Sequence, residues 1–156
     1  MHAFSRTPGV VAWLGYSGTL PFIGLAAAMW AVPGWQSWLH PALLEYAALV
    51  LSFLGALHAG MAIAGLARHA PRLEGRMHLW SVVPCLVGWL ALLLPASWGS
   101  GLLLGGLVAQ WLQDLRLARR LDVPGWYPGL RTRLTLVACL SLVAAAVAVP
   151  VAYGGA

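Results

Sequence analysis

His58 is the residue whose position demands most of its chemistry. It stands in "SFLGALHAGMA", inside a long apolar run, where an imidazole is costly to desolvate unless a partner satisfies it. Such a ring can contact a ligand, hold a metal or handle a proton. The plainer reading is a neutral histidine hydrogen-bonded to a neighbouring helix. Bis-histidine haem needs a second imidazole at matching depth, but His40, His69 and His78 stand at or beyond the ends of the apolar runs, and His2 is in the N-terminal tail. Neither haem nor any other cofactor or metal is expected.

A second polar group gathers further on. Gln110, Gln113 and Asp114 share one helical face at i, i+3 and i+4 spacing, with Gly106 on the same stripe. That stripe should face protein and not lipid, and Asp114 is placed to pair with Arg131 or Arg133 as a structural lock. Glu45 lies about 20 Å along the helix axis from His58, too far for a direct acid/base pair, and reads as a solvated charge near a helix start. Cys85 and Cys139 fall inside apolar runs and read as small hydrophobes. The sequence contains no Ser/His/Asp set, no HExxH, no phosphate loop and no paired intramembrane carboxylates, so an enzyme is not expected.

The elements that position these residues follow from composition. The chain is 61% hydrophobic and only 8% charged, with a mean hydropathy of +0.81. A soluble domain carries roughly a quarter charged residues, so too few are present here to solvate a globule, and lipid must be the solvent. Five apolar stretches of near-spanning length, 10–31, 41–67, 79–96, 100–118 and 133–153, predict a single all-α membrane domain over residues 1–156. The fourth is the weakest, because its glutamines and Asp114 crowd one end. A cleavable leader over 1–28 is disfavoured by Pro21 and a Gly/Ser/Thr-rich middle.

The nine basic residues are all arginine. Arg6 precedes the first span, Arg68, Arg72 and Arg76 separate the second and third, and Arg116, Arg119, Arg120, Arg131 and Arg133 separate the fourth and fifth. Five alternating spans put all of them on one side, and the positive-inside rule then gives N-in, C-out. Arginines clustered at span ends argue topology and not nucleic acid, which needs a basic water-facing surface. Tryptophans and tyrosines gather at the two expected boundaries, as amphipathic rings do; of the nine tryptophans only Trp89 falls near the midplane. The absence of lysine beside abundant Ala, Gly, Leu and Arg points to a GC-rich bacterial genome, hence to a multi-pass protein of the bacterial inner membrane.

Packing signals are abundant. Ser52, Ala56, Gly60 and Ala64 recur every fourth residue, Gly101 and Gly105 form a GxxxG, and both patterns let helices approach closely. Pro21 and Pro84 fall inside the first and third spans and can kink them. The run "LDVPGWYPGLRTR" reads as a surface loop.

The segments "LGYSGTLPF" (14–22), "EYAALVLSFLGALHAG" (45–60), "SVVPCLVGWLALLLP" (81–95) and "WYPGLRTRLT" (126–135), in that order, resemble the bacterial domain-of-unknown-function family 3429, related to the mitochondrial transmembrane protein 69 of animals. The resemblance implies a five-helix inner-membrane protein without an assigned activity. It lends weight to Tyr16, Pro21, Phe22, Glu45, Tyr46, Ser52, His58, Gly60, Pro84, Trp126, Tyr127 and Arg131. Where the family often has an aromatic residue after the histidine, this chain has Ala59.

Two functions are carried forward. The first is a non-catalytic packing, assembly or scaffold role, with a membrane-protein partner or a second copy of the chain. The alternative is a small-molecule or lipid binder or carrier of unspecified ligand, with an intramembrane pocket of Tyr16, Ser52, His58 and Trp89.

Overall fold

The computed structural model describes residues 8–121 and 123–153. All its regular elements are helical: α1 (Gly9–Ser17), α2 (Leu20–Ala31), a 3-10 turn at Pro33–Trp35, α3 (Gln36–Ile63), α4 (Pro71–Leu93), α5 (Ala96–Ala118) and α6 (Tyr127–Tyr153). Four segments are long and apolar enough to cross a membrane: Gly9–Ala31, Pro33–Ile63, Pro71–Leu93 and Tyr127–Val149. The α5 helix matches α4 in length at 23 residues, but its glycines and glutamines keep it out of that group.

The first expected span is broken, and proline chemistry explains where. Pro21 has no N–H for the carbonyl of Ser17, and its ring crowds that carbonyl, so α1 stops at Ser17 and α2 restarts with Pro21 in its first turn. Around the break, Ser17 Oγ donates to Leu14 O at 3.0 Å and Thr19 Oγ1 to Tyr16 O at 2.7 Å, adding to the backbone bonds those carbonyls already accept. The Tyr46 hydroxyl reaches across from α3 to Gly18 O at 2.8 Å. Its ring also meets Phe22 edge-on at 5.1 Å, pinning the break to the bundle.

The boundaries of α3 correct the sequence reading of 41–67. The helix starts earlier, at Gln36, and carries Pro41 in its interior. It ends earlier as well, because Gly65 takes φ +76°. Leu66 N then bonds Met61 O at 3.2 Å and Gly65 N bonds Ala62 O at 2.9 Å, the paired capping bonds of a left-handed glycine terminus. His58 therefore sits five residues before the end of α3, nearer the arginine-rich end than the longer span implied. The α4 and α6 helices start at Pro71 and Tyr127, well before the apolar stretches at 79 and 133. Hydropathy marks where lipid begins, whereas a proline in the first helical turn marks where the helix begins. Part of the expected loop "LDVPGWYPGLRTR" is thus the first turns of α6.

The α3 helix is central, packing most extensively on α4 and also touching α2, α5 and α6. The expected small-residue stripe does not make these contacts: Ala56, Gly60 and Ala64 face outward, and nothing lies within 4 Å of where Cβ atoms on Gly60, Gly101 or Gly105 would stand. The close approach uses other residues. A Cβ on Gly55 would stand 2.6 Å from Ser81 O, and one on Gly88 would stand 3.1 Å from Ala48 O. Gly106 admits Leu51 in the same way. Between these helices lies an apolar core that includes Phe22, Met29, Leu43, Leu51, Leu103 and Leu107. Where lipid surrounds the bundle, such a core holds by close packing more than by exclusion of water.

Candidate functional site

At the arginine-rich end, four helices send polar side chains into one buried cluster. Gln110 on α5 is its hub and is fully buried. Trp80 on α4 donates its indole N–H to Gln110 Oε1 at 2.8 Å. An indole nitrogen only donates, so this bond fixes which end of the amide is oxygen. The amide nitrogen then faces three acceptors: His58 Nδ1 at 3.1 Å, Leu54 O at 3.2 Å and Asp114 Oδ1 at 3.2 Å. Of the two neighbours of His58 Nδ1, the Gln110 amide at 3.1 Å is nearer than Leu54 O at 3.5 Å. With Nδ1 accepting from that amide, the proton belongs on Nε2, which stands 3.5 Å from Asp114 Oδ1.

Asp114 is the second hub, 2% exposed. Its Oδ2 accepts from Nε of Arg131 on α6, and Arg131 Nη1 donates to Thr135, one turn along, at 3.0 Å. Trp111 adds a neutral tie between the same two helices through Thr132 at 3.0 Å. Gly106, Gln110 and Asp114 share one stripe of α5, and Arg131 and Thr135 share one of α6; helical periodicity aligns each set and the packing of α5 on α6 brings the two together. Three buried atoms of the cluster and its surroundings have no hydrogen-bond partner among the described residues: His58 Nε2, Arg131 Nη2 and the Tyr127 hydroxyl.

The remaining sequence candidates lie elsewhere. Arg133, the other arginine considered for Asp114, faces outward toward the Tyr16 hydroxyl at 3.5 Å. Trp89 is 61% exposed and Tyr16 42%, and Ser52 Oγ turns back on its own helix to Ala48 O at 2.8 Å. The structure does not bring Tyr16, Ser52 and Trp89 together around His58. Glu45 is exposed, and Gln113 is half-buried on the neighbouring face of α5. Sequence reasoning missed Trp80 and Thr135. Trp80 belongs with the tryptophans expected at the boundaries, and its indole N–H was the available signal; for Thr135 the signals were its place in "WYPGLRTRLT" and its four-residue spacing from Arg131.

Two cavities adjoin the cluster. One, of about 70 Å³, includes His58, Trp80 and Gln113 in its lining. The other is an apolar groove of about 390 Å³ bordered by Phe22, Tyr46, Phe53, Leu107, Arg131 and Thr135. Among the described residues, no group of three or more His, Cys, Asp or Glu is arranged to hold a metal ion.

The family described as protein of unknown function (DUF3429) matches residues 7–147. Transmembrane protein 69 of Xenopus tropicalis is 33% identical over 144 residues, which take in 90% of this chain and 55% of that protein. The chain thus spans about half the length of the curated relative it matches. No solved structure matches. Together with the apolar helices, these likenesses make the chain a multi-pass membrane protein.

Proposed function

This chain belongs to the DUF3429 family, and from that premise we propose a non-catalytic packing, assembly or scaffold role in the bacterial inner membrane. In this reading it crosses the bilayer five times, N-in and C-out, with α1 and α2 as the first crossing and α5 as the fourth. Burial of Gln110 and Asp114 supports the fourth crossing, because the groups that lower the apolarity of α5 are turned away from lipid. The positive-inside rule supports the orientation.

One observation carries the functional reading. Most polar atoms of the side chains best placed for chemistry bond one another, tying α3, α4, α5 and α6 together. The outward face of Ala56, Gly60 and Ala64 is then the surface on which another membrane helix packs. Gentle extraction from the native membrane should recover the chain with a stoichiometric protein partner or a second copy of itself. Gly60→Leu should remove that partner while leaving thermal stability intact. Recovery of the bare chain across several lipid-preserving conditions, or an unaltered complex in Gly60→Leu, would overturn the proposal.

A second reading, an intramembrane binder of a lipid or other apolar molecule, is favoured by the 390 Å³ groove between the broken first span, α3 and α6. The groove meets the cluster through Arg131, not through His58.

A further inference from the structure

The small cavity beside the cluster goes beyond the scaffold reading. It lies between α4 and α5 at the arginine-rich end, with Arg76, Arg116 and Arg120 around it and Trp80, Gln113 and His58 contributing to its wall. No carboxylate lines it. Among the described residues, none of the three arginines forms an ion pair. His58 is 1% exposed, and its Nε2 has no hydrogen-bond partner. Asp114, 3.5 Å from that nitrogen, is the nearest negative charge, and its pairing with Arg131 offsets much of its field.

A second hollow adjoins the first and shares Leu73, Arg76 and Arg120 with it. It adds Arg72 and the N-terminal end of α4, where Ala70 supplies no side-chain cap. Pro71 has no N–H there and the amides of Leu73 and Glu74 both bond Ala70 O, so this terminus adds little beyond the Arg72 side chain. Topology alone accounts for arginines at this end of the bundle. It does not account for three of them around one cavity whose wall includes a buried imidazole with an uncommitted N–H.

We propose that this cavity binds a phosphate-bearing anion, either free phosphate or the headgroup of an anionic lipid. Arg76, Arg116 and Arg120 supply the charge, His58 Nε2–H supplies a buried donor, and substituents on the phosphate extend into the outer hollow toward Arg72. Guanidinium groups suit this task because their planar donors match phosphate oxygens in pairs.

The test uses the full chain in two settings. In mild detergent, inorganic phosphate is titrated calorimetrically. In nanodiscs of phosphatidylcholine with and without phosphatidate, retained lipid is counted by native mass spectrometry. Arg76→Gln and Arg120→Gln should each weaken binding about tenfold, the loss of one charge-assisted contact. Arg119→Gln, an exposed arginine outside the cavity lining, should change it less than about twofold by the same measure. Gln113→Phe should block the site sterically while the thermal transition is kept. Phosphate binding with this pattern identifies the free anion as ligand, and phosphatidate retention with this pattern identifies the headgroup. Equal losses in Arg119→Gln and Arg120→Gln, or no binding in either setting, would overturn the proposal.

Discussion

The two ends of the bundle are both tied by buried polar groups, but in different currencies. At the arginine-rich end the tie is ionic: Asp114 pairs with Arg131, and Gln110 links them to His58 and Trp80. At the opposite end it is neutral. Gln36 donates to Met29 O at 3.0 Å and to Ala148 O at 3.3 Å, bridging α3 to α2 and α6. His40 meets Ser100 on α5 at 3.1 Å. Ser100 already donates to Ala96 O at 2.7 Å, so its oxygen accepts and His40 Nε2 carries the proton. In both clusters α3 supplies a histidine to α5, yet only one cluster involves charges. Neutral ties can be broken one at a time at modest cost. A buried ion pair cannot, because removing one partner strands the other.

That contrast orders the expected effects. Asp114→Ala should be the most damaging substitution, costing about 3–5 kcal/mol, because it leaves the Arg131 guanidinium buried and unpaired. Thermal unfolding in nanodiscs reads this directly. Gln110→Leu should cost about 1–3 kcal/mol, since Trp80 loses its acceptor and His58 its donor while the ion pair stays. Shifted tryptophan fluorescence would report the Trp80 loss independently. Ser100→Ala, at the neutral end, should cost about 1 kcal/mol, because it leaves one neutral N–H of His40 without its acceptor. A Ser100→Ala effect as large as that of Asp114→Ala would erase the distinction between the ends.

The sequence made part of this legible and concealed the rest for identifiable reasons. Asp114 and two candidate arginines stood out because charge is rare among apolar residues, and the i, i+4 stripe of α5 placed Gln110 with Asp114. The choice of Arg131 over Arg133 was not readable, since two positions along a helix turn a side chain to nearly the opposite face and the register of α6 was unknown. The start of α6 was hidden by its prolines and glycines, which resemble loop composition until Pro128 is seen as a first-turn residue. Gln36 was missed because residues 32–40 looked like a connecting loop. The small-residue stripe was visible, but spacing alone does not say whether the neighbour it admits belongs to the same chain. Gly55 and Gly88 do admit α4 and α3 to each other, but Gly88 has no small residue four positions away and Gly55 has only Ala59.

The most direct measurement of whether the cluster is a structural clasp is a double-substitution cycle on Asp114 and Arg131, followed by thermal unfolding in nanodiscs. If the pair acts as a clasp, Asp114→Leu and Arg131→Met should each be strongly destabilising alone. Combined, they should recover most of the lost stability, because neither leaves the other's charge stranded. A double variant as unstable as the sum of the two single losses would contradict the account and leave the cluster's charges in need of another role.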